Sequence, residues 1–379
     1  MRIGIEAQRI FRKNKHGMDF VVLQEIKELQ KLDTKNEYFV FVAPGDDRCL
    51  ESTNNVHIME IGSNFYPLWE QKTLPHAAQE MKLDMLHCTS NTAPIHCSVP
   101  LLLTLHDIIF LEPTIKLNLS VYQNLGRIYR RYVLKRVFEK CERIITVSEF
   151  EYNNIITQLS IPKEKMVMIY NAYSEWFTPA SKADFTYKEY IDEPGYIFFL
   201  GNTDPKKNTE NTILAYKVYL EKSKIKRKLL LADLDRAYLN EILIRNHIES
   251  IRKMIVTSGY IANQNLPNIY NNAFVFLYTS QREGFGIPIL ESMACGTPVI
   301  TSNTSSMPEI GGPYAILVNP ENPDEIAEMM LKLETDDEFY QQQEEVGLQR
   351  AKLFSWRNTA ERLLEVYEEV YKELKRSGK

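Results

Sequence analysis

"AFVFLYTSQREGFGIPILESMACGTPVITS", residues 273–302, is the stretch on which the fold turns. It opens with an unbroken apolar run, 273–278, of the kind that fills a strand buried on both faces. The loop that follows carries Gly284 and Gly286, which let the main chain come close to a ligand. Pro288 suits the first helical position, where its missing N–H is no loss. Gly296 suits a left-handed stop, and "PVIT" resumes a strand at Pro298. The stretch therefore reads as strand, loop, short helix, strand. Glu283 falls in the loop and Glu291 three residues after Pro288, about one turn into the helix. Free N–H groups and the positive end of the helix dipole stand between the two acids. That suits an anionic diphosphate flanked by hydroxyl-rich groups that carboxylates can bind. The plainer reading is a crossover whose glutamates only cap a helix.

Outward from this segment the same alternation recurs. "RIGIEA", "VVLQEIKELQKL", "EYFVFVA", "PLLLTLHD" and "RIITVS" lie before residue 172, and "YIFFLGN", "NTILAYKVYLEK" and "KLLLAD" follow residue 196. Strands alternating with helices predict an α/β fold of two Rossmann-like, doubly wound domains, 1–172 and 196–356. Between them, 173–195 holds Pro179, Pro194 and Gly195 with little periodicity and reads as a linker. Sheets of this type bind ligands beyond the carboxyl ends of their strands, so the expected site is a cleft between facing domains. The final helix, 357–379, is amphipathic and needs an apolar partner.

A chain of 379 residues is too long for one ordinary core. Its net charge of −5 argues against nucleic acid as the main partner. Five cysteines without a CxxC pair indicate neither a disulfide framework nor structural zinc. The N-terminus turns polar too soon for a signal peptide and no apolar run reaches membrane-span length, so a cytoplasmic location is expected.

Taken as a whole, "EGFGIPILESMACGTPVI" resembles the Glu-x7-Glu signature of retaining glycosyltransferases of the large GT4 family, which have the GT-B fold. The resemblance implies transfer of a hexose, mannose first, from a GDP- or UDP-linked donor to a glycan or lipid-linked acceptor. It implies no metal and no further cofactor. Glu283 would bind the donor sugar, Glu291 the ribose diol, and Gly284, Phe285, Gly286 and Ile287 the donor between them. In the family the final helix crosses back to the first domain.

Other blocks fit the same resemblance. "YIFFLGNTDPKKNTENTILAY" ends a strand at Gly201 and Asn202 and leaves Lys206 and Lys207 just before a helix. The family has an Arg and a Lys there to neutralise the diphosphate; Lys206 in place of the Arg exchanges a planar fork for a point charge. "LLLTLHD" resembles the family's TxHD block, which assigns His106 to the reaction centre, although a polar pair at a strand end is often only a turn. Gly17 falls where the family has a glycine loop under the donor. "IITVSEFEYNNI" and "IYNAY" also match family blocks and read as structural.

Two further readings stand apart. Asp233-Leu234-Asp235 spells the DxD that binds metal in another glycosyltransferase architecture, but the acids can equally turn the chain and cap a helix. The segment 127–143, "RIYRRYVLKRVFEKCER", reads as a basic helix with Tyr129, Tyr132, Val133, Val137 and Phe138 interleaved. It suits either solvent or peripheral contact with an anionic membrane. Competing functions are an epimerase or phosphorylase of similar architecture, or a two-domain sugar-binding protein. A nicotinamide oxidoreductase is disfavoured because no GxGxxG follows a strand.

Overall fold

The computed structural model describes all residues except 14, 16, 63–64, 113–120, 181–184 and 379, and the side chains of 121–123. The chain divides into two compact units, Met1–Asn171 with Trp356–Lys379, and Ala172–Ser355.

In the first unit, seven strands form one sheet: β1 (Arg2–Glu6), β2 (Glu37–Val42), β3 (Val56–Glu60), β4 (Met85–Cys88), β5 (Leu101–Leu105), β6 (Arg143–Thr146) and β7 (Met166–Met168). Every pairing is parallel and the order is β3-β2-β1-β4-β5-β6-β7. Helices cover both faces, so the central strands have no solvent side and are mostly apolar, as in "LLLTL" of β5. The chain leaves β1 toward β2 and β3 and comes back to β4 on the other side, which opens a switch point between β1 and β4.

The C-terminal helix Trp356–Ser377 belongs to this unit. Leu363, Val366, Tyr367, Val370 and Leu374 are buried with Val22, Ile26 and Leu29 of the helix Gly17–Leu32. At about 1.5–3 kcal/mol gross per large apolar side chain, this seam outweighs the Arg143–Glu373 ion pair at its partly exposed edge. The Tyr367 hydroxyl reaches Nδ1 of the buried His87 at 2.8 Å, and Thr104 Oγ1 lies 2.7 Å from Nε2 of the same ring.

The basic segment differs from its expectation. The helix runs Val121–Val137, a short turn follows at Phe138–Lys140, and Arg143 already opens β6. The reason is the β-branched "RIIT", whose Ile144 and Ile145 are needed in the sheet between β5 and β7.

The second unit repeats the plan with β8 (Tyr196–Leu200), β9 (Leu229–Ala232), β10 (Ile255–Gly259), β11 (Ala273–Tyr278), β12 (Val299–Ser302) and β13 (Ile316–Val318). The order is β10-β9-β8-β11-β12-β13, again parallel, with its switch point between β8 and β11. The described residues of the stretch read as a linker pack within this unit. The Ala180 and Tyr187 main-chain N–H groups donate to the side-chain oxygens of Asn271 and Asn268 on the helix Leu266–Asn272, and Tyr187 is buried. The buried Tyr187 N–H needs a partner, which Asn268 supplies, while the Ala180 bond to Asn271 lies at the surface.

Candidate functional site

In the second unit the two loops that leave β8 and β11 flank the switch point, and they carry most of the residues singled out from sequence. After β8, Gly201 donates its N–H to Ala232 O. A Cβ at Gly201 would lie 2.8 Å from Leu231 Cδ2, so packing against the neighbouring strand favours glycine here whether or not a ligand binds. Asn202 shapes the turn: its Oδ1 accepts from Asp204 N, and its main chain exchanges hydrogen bonds with Thr209 Oγ1. Asp204 caps the single turn Pro205–Lys207, which presents both lysines just ahead of the helix Thr209–Lys222.

The loop after β11 is tied to the lysine turn through Gln281 N, which donates to Lys206 O at 2.7 Å. Lys207 Nζ donates to Glu283 Oε1 at 2.6 Å and stands 5.3 Å from the centre of the Tyr278 ring. The pair is largely withdrawn from solvent, with 24% and 12% of the two side chains exposed. Burial pushes the Glu283 carboxyl up, but the Lys207 and Lys206 ammonium groups and hydrogen bonds from Lys207 and Ser280 outweigh it and hold the group below its usual range. Lys206 has a looser contact, 4.0 Å to Asp204. Lys207 thus already holds a carboxylate, and Lys206 is the less committed cation.

Gly286 has φ +111 and stands as the N-cap of the helix Ile287–Ala294. The helix begins at Ile287, so Pro288 sits at its second residue rather than its first. Phe285 is buried against Phe354, ring centres 6.0 Å apart, which anchors the loop between the two acids. Gly296, at φ +74, follows the helix end. Glu291 accepts from the Tyr270 hydroxyl at 3.2 Å, and among the described residues no cation offsets its burial. Burial therefore dominates and raises its pKa to about 7. One βαβ segment thus holds two half-buried glutamates with opposite shifts, one stabilised as the anion and the other close to protonation.

Sequence reasoning did not pick out what braces this loop. Ser305 Oγ accepts from Glu283 N and from Arg282 and donates to Glu283 O, while Ser306 Oγ reaches Phe285 O at 2.8 Å. Thr304 Oγ1 donates to Gln281 O. The hydroxyl run "NTSSMPE" was visible after β12, but nothing in it specifies the loop it would bind.

His106 and Gly17 belong to the first unit. His106 follows β5 and is 7% exposed; its main-chain N–H donates to Asn91 Oδ1. The ring Nε2 lies 2.9 Å from Thr89 O, and since a carbonyl only accepts, Nε2 carries the proton. Burial lowers the pKa, against the backbone hydrogen bond and nearby Asp107 and Asp19, and keeps the ring neutral. Nδ1 then offers a lone pair, suited to a sugar hydroxyl rather than to a phosphate oxygen. Gly17 opens the first helix with open space around its Cβ direction, so the fold itself makes no demand for glycine there. Asn14 and His16 of that loop lie outside the described residues.

The rival motif resolves locally. Asp235 caps the helix Arg236–Arg245 by accepting from Ala237 N and Tyr238 N. Asp233 turns the chain at φ +58. Ser148 likewise caps the helix Glu149–Leu159.

Two parallel-sheet Rossmann-like units, one with a lysine turn and an acidic loop at its switch point, define a protein of GT-B fold. Residues 16–175 match the family model Glycosyltransferase Family 4 and residues 183–350 the model Glycosyl transferases group 1. The chain belongs to these glycosyltransferases. It is 31% identical over 244 residues to O-antigen chain mannosyltransferase B of Escherichia coli, a match covering 62% of this chain and 64% of that one. It is 27% identical over 251 residues to the serotype-specific mannosyltransferase WbdA of the same organism, covering 61% of this chain but 29% of the relative. The matched region thus spans less than two thirds of these relatives. Among solved structures, a glycosyltransferase from Rickettsia africae superposes with a TM-score of 0.71 at 18% identity, covering 98% of both chains. Anabaena HepE, solved with UDP and glucose, gives 0.72 at 15% identity, covering 97% of this chain and 99% of that one.

Proposed function

We propose that the chain is a retaining hexosyltransferase that moves mannose from a nucleoside diphosphate donor, GDP- or UDP-linked, to a glycan or lipid-linked glycan acceptor in cell-surface polysaccharide assembly. The acceptor is met at the cytoplasmic face of an anionic membrane. The observation that carries this reading is the buried Lys207–Glu283 pair with Lys206 beside it at the β8/β11 switch point. The mannosyltransferase names of the matched relatives support the choice of sugar.

The leaving diphosphate gains negative charge as the glycosidic bond breaks. Fixed cations and N–H groups aimed at it stabilise that change more than they stabilise the ground state. In this reading Lys206, Lys207 and the amides from Gly284 to Ile287 receive the diphosphate, and no metal ion is required. Glu283, held ionised and oriented by Lys207, binds donor-sugar hydroxyls. Glu291 binds the ribose diol, and the neutral His106 accepts from a sugar hydroxyl through Nδ1. The reading names no covalent nucleophile; the departing phosphate takes the acceptor's proton on the same face, and the anomeric configuration is kept.

The test is a melting-point screen with GDP, UDP, ADP and their sugars, since a ligand that prefers the native state raises the melting point by mass action. NMR of the anomeric proton in the product follows. A diphosphate that stabilises the wild type but not Lys207→Ala supports the reading; no response to any sugar nucleotide, or an inverted product, defeats it.

A further inference from the structure

The reading above brings the protein to a membrane without saying which surface touches it. The helix Val121–Val137 contains five basic residues and no acidic one. Much of what sequence assigned to its outer surface is used inside the unit. Val133, Leu134 and Val137 are fully buried. Tyr129 donates to Glu70 and accepts from Gln71. The Arg127 and Arg131 guanidinium groups are turned onto the carbonyls of Phe110 and Glu112. None of these is available to a bilayer.

A different set points outward. Leu125, Ile128 and Tyr132 are 61%, 63% and 52% exposed. They are spaced three and four residues apart, and Lys135 and Arg136, also exposed, continue the same row. At 3.6 residues per turn these five side chains fall within an arc of roughly 100°. The Arg136 guanidinium lies 3.7 Å from the centre of the Tyr132 ring, which joins the apolar end of the row to its basic end. A second element adds to the apolar end: Tyr66 meets Tyr129 edge-on at 6.2 Å, and its neighbours Phe65 and Leu68 are 66% and 48% exposed. Large apolar side chains clustered in this way on a surface mark a contact site.

We infer that this face of the first unit is a membrane-insertion surface. Leu125, Ile128, Tyr132, Phe65 and Leu68 enter the boundary between headgroups and acyl chains, and Lys135 and Arg136 meet lipid phosphates. Charge decides the occupant. A second copy docked on this row would set acid-free basic helices against each other, whereas an anionic leaflet supplies the missing negative charge and accepts the apolar side chains as well. The inference rests on the peripheral-contact part of the proposed function and is independent of the donor assignments.

The experiment is vesicle co-sedimentation of the full chain, with phosphatidylcholine alone and with about one-third phosphatidylglycerol. Binding is expected to the anionic vesicles, weakened by salt. Leu125→Ser with Ile128→Ser should reduce the partition coefficient by on the order of tenfold or more. Lys135→Gln with Arg136→Gln should reduce it by roughly thirtyfold, at about 1 kcal/mol per cation. The emission of Leu125→Trp, less that of the three native tryptophans, should shift to the blue on anionic vesicles alone. Circular dichroism and the melting response to nucleotide should be those of the wild type in every variant, which separates this test from the donor reading. Absence of vesicle binding, binding indifferent to both double variants, or self-association that Leu125→Ser with Ile128→Ser abolishes would each overturn the inference.

Discussion

The carboxyl ends of the two sheets share a topology and differ in chemistry. Beyond β8 and β11 stand a buried ion pair, a second lysine and a glycine-capped helix start. Beyond β4 and β5 the groups are neutral or tied to hydroxyls: His106 gives its N–H to Thr89 O, and Thr89 Oγ1 donates to the main chain of Glu6. Glu70 is fully buried, pushed up by burial and held by hydroxyls from Thr92, Tyr129 and Tyr66. Both regions withdraw carboxylates from solvent; among the described residues a lysine donates directly to Glu283, whereas Glu70 is held by hydroxyls. Desolvation alone raises a carboxyl pKa, and a lysine at hydrogen-bond distance reverses the sign. The proposed reading accordingly gives the anion to the second unit and sugar hydroxyls to the first.

The strongest way to break this contrast is to remove the cation. Lys207→Ala should lower turnover at saturating donor by on the order of 10²–10³-fold, the loss expected for one preorganised charge-stabilising donor. Near-normal turnover would mean that Lys207 serves only Glu283 and that the diphosphate is met elsewhere.

Glu291 sharpens the contrast within the second unit, because it is a half-buried acid there that, among the described residues, no lysine meets. Its pKa of about 7 makes it mostly protonated at pH 6 and mostly ionised at pH 8. Ribose hydroxyls donate to the ionised form, so donor affinity should rise by about tenfold from pH 6 to pH 8 and level off above. Glu291→Gln should bind more weakly at pH 8 and show a flat profile. Calorimetric titrations giving affinity that falls as pH rises would reverse the assigned role.

The smallest effect is expected in the first unit. His106→Ala should cost roughly tenfold in turnover, about the worth of one hydrogen bond, and leave the shape of the pH–rate profile between 6 and 8 unchanged. If the substitution removed an ionisation from that window, His106 would be acting as a charged group and the neutral reading of this region would fail.

Sequence periodicity was enough for the elements around the site. Apolar runs such as "AFVFLY" and glycines at 286 and 296 specify strand, loop and helix locally, since a fully buried strand and a positive φ each restrict the residues allowed. The two glutamates and the lysine pair were visible for the same reason: each sits a fixed number of residues past a strand end. Other features were not legible. The hydroxyls of 304–306 lie about twenty residues from the loop they brace. The docking of 173–195 depends on two asparagines some eighty to ninety residues downstream. The outward row of the helix Val121–Val137 could not be told from its inward row, because tyrosines, arginines and aliphatic residues occur on both.

What the amino-acid order determined by itself was the succession of strands and helices, the positions of Lys206, Lys207, Glu283 and Glu291 just beyond strand ends, and the excess of positive charge in one helix. These follow from local rules of period, turn chemistry and capping. Only the tertiary structure decided that β8 lies beside β11, that Lys207 pairs with Glu283 while Glu291 meets Tyr270, and which arginines are spent on carbonyls. Strand order and desolvation depend on contacts between residues far apart in the chain, and the pKa of a carboxyl depends on what surrounds it rather than on its neighbours in sequence.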